Sequence, residues 1–93
     1  RRKTYVAKVT NWFDKLGVAE FHVECESLKV GDSITIIGPN TGVIETTVKE
    51  IRVDLLPTDE APKGSLCSVP IDRELLADAG GKLRRADKVF VIS

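Results

Sequence analysis

Val18-Ala19-Glu20-Phe21-His22-Val23-Glu24-Cys25 is the stretch that decides the fold. Its side chains split by parity. Ala19, Phe21, Val23 and Cys25 share one face, and Val18, Glu20, His22 and Glu24 share the other. A period of two is that of a half-buried β-strand with one polar face in water. Outward from this core the same period recurs. Tyr5 to Trp12 reads as an earlier strand, with Tyr5, Ala7 and Val9 on one parity. Ser33 to Ile37 follows the Gly31-Asp32 turn pair, and Ser65 to Ile71 keeps Cys67, Val69 and Ile71 in register. Lys88 to Ile92 is a largely apolar closing strand. Glu45 to Leu55 changes phase: Val48 lies on one parity, and Ile51, Val53 and Leu55 on the other. A bulge at Lys49-Glu50 would return both sets to one face and bend the strand.

Six strands result, separated by turns at Asp14–Gly17, Gly31-Asp32, Gly38–Gly42 and Pro57–Gly64. Short strands at such spacing predict an all-β fold, a barrel or a sandwich, in one domain over residues 1–93; a small closed antiparallel β-barrel is the expected form. Its core should hold Val9, Phe21, Val23, Ile34, Ile36, Val48, Ile51, Val69 and Val89. One stretch breaks the period. Asp72 to Ala79 has an N-cap candidate in Asp72 and a C′ glycine in Gly80, which predicts a short helix docking through Leu75 and Leu76.

Fourteen Lys and Arg balance fourteen Asp and Glu, with 42% apolar and 30% charged residues. That is a globular mixture, without the cationic surplus of an indiscriminate nucleic-acid binder. The apolar runs are too short to cross a bilayer, and no signal-peptide pattern opens the chain. Two cysteines, Cys25 and Cys67, make no disulfide framework and suit a reduced, cytoplasmic setting, although one bridge stays open. The sequence has no methionine and opens Arg1-Arg2-Lys3. The expectation is a piece of a longer polypeptide, with removal of an initiator methionine as the alternative.

A catalytic assembly is hard to build from these residues. His22 is the single histidine, flanked on its own face by Glu20 and Glu24, while Cys25 has the opposite parity and Cys67 reads as a small core residue. No nucleophile motif is present. Structural zinc needs about four Cys or His ligands, and the chain has three such residues and no Cys-x-x-Cys pair. Glu20, Glu24 and Glu26 read as a hydrated acidic stripe. Gly38-Pro39-Asn40-Thr41-Gly42 lacks the lysine and following helix of a phosphate cradle and reads as a hairpin loop. The domain is expected to be no enzyme and to hold no metal or cofactor.

Basic residues cluster at Arg1-Arg2-Lys3 and at Lys82, Arg84, Arg85 and Lys88. If the last strand runs antiparallel to the first, Arg84 and Arg85 approach Trp12 and Phe13. Guanidinium groups beside exposed aromatics make a stacking platform for unpaired bases. The alternative is a solvated loop beside two aromatics that plug a barrel end.

Taken together, Val6–Phe13 with Leu16–Ala19, Leu28-Lys29-Val30-Gly31-Asp32-Ser33-Ile34, Thr47-Val48-Lys49-Glu50-Ile51, Glu60-Ala61-Pro62-Lys63-Gly64 and Arg85–Phe90 resemble the second domain of translational GTPases such as elongation factor Tu. That resemblance implies a Greek-key-type, translation-protein-like β-barrel, in which residues 72–83, helix plus basic loop, form one insertion. The Gly38–Gly42 loop and the Val53-Asp54 strand end are similar to the C-terminal barrel of collagenase-like peptidases, the family of unassigned catalytic type numbered thirty-two. Its members include factors that hydroxylate tRNA. This resemblance implies an accessory barrel that follows a catalytic domain and contributes RNA or substrate recognition. Trp12, Phe13, Lys82, Arg84, Arg85 and Lys88 are then the candidate RNA contacts. The alternative is a protein-interaction or intramolecular docking barrel without nucleic acid, contacting its neighbour through Arg1–Lys3 and residues 72–83.

Overall fold

The computed structural model describes all 93 residues. Its spine is β1, Lys3–Phe13, which pairs antiparallel with β2 (Val18–Val23) on one side and with the last strand, β10 (Lys88–Ile92), on the other. The remaining strands are β3 (Ser27–Lys29), β4 (Ser33–Gly38), β5 (Gly42–Thr47), β6 (Ile51–Val53), β7 (Leu56–Thr58), β8 (Glu60–Pro62) and β9 (Leu66–Pro70). Eight form one sheet in the order β5-β4-β10-β1-β2-β9-β6-β7, and β3 with β8 form a two-stranded ribbon. Every ladder is antiparallel. At the chain ends Arg2 N–H donates to Ser93 O at 2.6 Å and Ser93 N–H to Arg2 O at 2.8 Å.

The large sheet is strongly curled, and the link between β5 and β6 shows why. These strands stand six places apart in the order of the sheet. On a flat sheet that is about 29 Å at about 4.8 Å per strand. Yet only Val48-Lys49-Glu50 connect them, and the four Cα steps from Thr47 to Ile51 reach about 14 Å at most. The two margins of the sheet are therefore folded towards each other around the core.

This link corrects the expected bulge at Lys49-Glu50. The phase change there marks the end of one strand and the start of another, so β5 and β6 are separate elements rather than one bent strand. The bulges lie instead in β1, between Tyr5 and Ala7 against β10 and between Val9 and Asn11 against β2. The expected six strands become ten, because the long segment divides and three-residue strands form β3, β7 and β8.

The nine core residues named from the sequence are each 1% exposed or less. Burying a side chain such as Phe21 or Ile34 contributes about 1.5–3 kcal/mol each. Cys67 joins this cluster, but Cys25 is only half-buried, because β2 ends at Val23 and the chain turns away through Glu26 at φ 56°.

The insertion forms a 3₁₀ helix, Arg73–Ala79. Asp72 caps it by accepting from Glu74 N–H at 2.9 Å, and Gly80 ends it in the left-handed region at φ 74°. Side chains three apart eclipse in this helix type. Leu76 and Ala79 therefore share the inward line, and Leu75 falls on another. Leu76 is fully buried while Leu75 is 39% exposed, so one leucine docks where two were expected. The helix packs against β5 and covers that edge of the sheet. With Leu83 also buried, the insertion is part of the core.

Candidate nucleic-acid interface

The β1–β10 ladder sets Lys8 directly opposite Lys88. Directly opposed residues point to one side of a sheet. Ala7 and Val89, the neighbouring pair, are fully buried, so the two lysines stand on the outer face, and both are exposed. Ala86, at φ 74°, swings the incoming chain over β1, where its N–H donates to Val9 O and Val9 N–H donates to Asp87 O, each at 2.8 Å. This turn delivers Arg85 to an open groove of about 520 Å³, lined also by Lys8, Thr10, Asn11, Glu20 and Leu66.

Charge in the groove is unevenly matched. Lys8 Nζ lies 3.4 Å from Glu24 Oε2, and Glu20 accepts from the Thr10 hydroxyl at 2.8 Å. Arg85 in the groove, and Lys88 outside its lining but opposite Lys8, belong to none of the ion pairs of the chain.

The other candidates are placed differently. The Arg84 guanidinium donates to the carbonyls of Asn40, Ala79 and Lys82, tying the end of the insertion to the β4–β5 loop. Trp12 packs half-buried against the core, and its Nε1 donates to Asp14 Oδ1 at 3.3 Å. The expected platform of Arg84 and Arg85 on Trp12 and Phe13 is not formed. The cation that sits over a ring is Lys3, 4.8 Å from the Phe90 centroid. Phe13 is 37% exposed at the end of β1, and Lys82 is exposed on the loop.

His22 makes no dyad. Its Nδ1 lies 3.4 Å from Glu24 Oε2, a carboxylate that also receives the Tyr5 hydroxyl. That hydroxyl bond, foremost, holds Glu24 below the usual carboxylate range. Burial, helped by the same carboxylate, pushes the Tyr5 phenol up to about 12. Burial likewise pushes the Cys67 thiol up to about 11, which leaves it a poor nucleophile near neutrality.

Sequence reasoning missed the most deeply set polar group. Asp87 is 2% exposed and accepts from the Thr41 hydroxyl and, at 3.0 Å, from Arg84 N–H. Its carboxylate also presses on Gly38. It fixes the β4–β5 loop beneath the basic segment and so orients Arg85. Only the short polar Thr41 inside a glycine-bounded loop hints at it in the sequence.

No family model matches the chain. Two collagenases of Porphyromonas gingivalis are 43% and 42% identical to it over 90 residues, 97% of this chain. An uncharacterized protease of Methanocaldococcus jannaschii is 31% identical over 91 residues. Among solved structures, the C-terminal domain of a Geobacillus thermoleovorans U32 peptidase superposes with a TM-score of 0.80 at 13% identity, covering 97% of this chain and 93% of that one. The chain matches the C-terminal domain of collagenase-like U32 peptidases. The chain spans about a fifth of the length of the curated relatives, 23% and 20% of the two collagenases. The likeness is to a C-terminal domain and not to a whole peptidase, which fits an accessory, non-catalytic part of such a protein. No helix is long and apolar enough to cross a membrane.

Proposed function

We propose that this U32 C-terminal domain is a cytoplasmic recognition module of a longer chain and contacts RNA phosphates, tRNA among them, through Lys8, Arg85 and Lys88. The observation that carries the reading is the directly opposed Lys8–Lys88 pair with Arg85 beside it. Like charges set opposite each other on a sheet cost stability. Two of these three cations have no acidic partner to offset that cost. A polyanion supplies the missing charge, and its phosphates release counterions on binding. The neutral net charge of the chain fits local, modest affinity rather than indiscriminate binding. The reading also takes the curled sheet as a translation-protein-type barrel whose open seam is filled by the 3₁₀ helix.

Titration of the isotope-labelled domain with tRNA tests it. Amides of Lys8, Arg85 and Lys88 should shift first. With about three phosphate contacts, a roughly fourfold rise in salt should weaken binding about twentyfold. Spectra unchanged at high tRNA concentration, or shifts that persist in the Arg85→Glu, Lys88→Glu double variant, would refute the assignment.

A further inference from the structure

The tip of the β6–β7 hairpin carries two leucines with almost nothing around them: Leu55 is 87% exposed and Leu56 68%. Val53 pairs directly with Leu56, so Asp54 and Leu55 form a two-residue turn, with φ of 52° and 68°. A turn with both values positive is of type I′, whose second position favours glycine. Leucine there carries a steric penalty in the left-handed region. Leu55 therefore works against the backbone it sits on and adds nothing to the core. The other strongly exposed aliphatics, Leu16, Val43 and Leu66, are not adjacent in sequence to one another, as is usual for surface aliphatics.

The setting narrows what the tip contacts. Pro57 lies on the edge strand β7, where it removes a donor and blocks strand addition, so recognition here runs through side chains. Charged groups border the leucines, including Asp54 and the Arg52–Glu50 pair at 2.9 Å. The apolar area is on the order of a few hundred Å², whereas a stable interface between free molecules takes about 1,200–2,000 Å². So small a contact holds only a partner kept near it by a covalent tether. The matched collagenases are more than four times as long as this domain, which occupies 23% and 20% of them.

We propose that the Leu55–Leu56 tip is an intramolecular plug, seated in an apolar recess of another domain of the same longer polypeptide. It is carried by the hairpin and is independent of the RNA groove.

Hydrogen exchange of residues 53–56, compared between the 93-residue domain and the longer polypeptide, is the test. Exchange should slow about tenfold or more in the longer chain, and Leu55→Asp with Leu56→Asp should abolish that protection. Leu55→Gly, which relieves the turn and keeps the hairpin, should reduce it as well, so a failure of the aspartate pair to fold does not decide the matter. Equal exchange in both contexts overturns the proposal. So does a dimer of the isolated domain that the aspartate pair dissociates, or micromolar binding of the isolated domain to the remainder of the chain added separately.

Discussion

The Thr41 hydroxyl donates to the buried carboxylate of Asp87 across a separation of 46 residues. The bond joins the β4–β5 hairpin loop to the start of β10. It leaves no room for a side chain at Gly38, where a β-carbon would stand 1.9 Å from Asp87 Oδ1. A loop that resembles a ligand cradle in sequence is thus a socket for one of the chain's own carboxylates.

Gly38→Ala should destabilise the domain by about 1–3 kcal/mol through overpacking. Asp87→Ser removes the obstructing carboxylate, so the Gly38→Ala, Asp87→Ser double variant should lose less than the sum of the two single changes. Urea denaturation of the four proteins measures this coupling. Strict additivity would show that the contact carries no energy.

Thr41→Val tests the other side of the socket. It leaves the Asp87 carboxylate buried with one donor fewer, at a cost of about 1–3 kcal/mol. Thermal melts should show a clear loss, and an unchanged melting temperature would contradict the assigned bond.

The eclipsed geometry of the 3₁₀ helix separates two adjacent leucines. Leu76→Ala should cost about 2–5 kcal/mol, because it empties a fully buried site. Leu75→Ala should stay within about 0.5 kcal/mol. Similar losses for both would mean that the helix packs differently.

Tyr5 is the single tyrosine, so its ultraviolet titration is read without overlap from another phenol. The phenolate should appear near pH 12, and Glu24→Gln should move the midpoint down towards 10 while burial keeps it above that value. A raised phenol pKa favours the protonated form in the folded state. Its contribution to stability is whole below about pH 10 and is lost as the pH rises through about 12. A midpoint already at 10 in the native domain would remove both the bond and the burial from the account.

The two thiols should differ in alkylation. Near pH 8, the half-buried Cys25 should be modified by iodoacetamide in the folded domain while Cys67 is protected, and both should react after denaturation. Mass spectrometry of the peptides distinguishes them, and rapid native labelling of Cys67 would be the contrary result.

The parts of the fold legible in the sequence are those set by alternation within one strand. Phe21 and Val23 face inward because their neighbours Glu20 and His22 cannot, and the same logic placed Ile34, Ile36, Val69 and Val89. Alternation fails where the partner changes. At Val48 and Ile51 a period of two cannot distinguish a bulge from a crossing between sheet margins. Strands as short as β3 and β8 offer Leu28 and Ala61 as one inward residue each, too little to show a period. The candidate site was legible as a basic cluster, but the division of labour within it was not. Arg84 and Arg85 are identical in type, and only the carbonyls of Asn40, Ala79 and Lys82 separate the structural one from the free one. Lys8 was overlooked because its partner Lys88 lies 80 positions away.

Arg2 and Ser93 exchange both of their backbone hydrogen bonds. The two ends of the domain therefore lie side by side, about one strand spacing apart. Joining the two ends with a short linker and opening the chain at an exposed turn, a circular permutation, requires no rearrangement of the sheet.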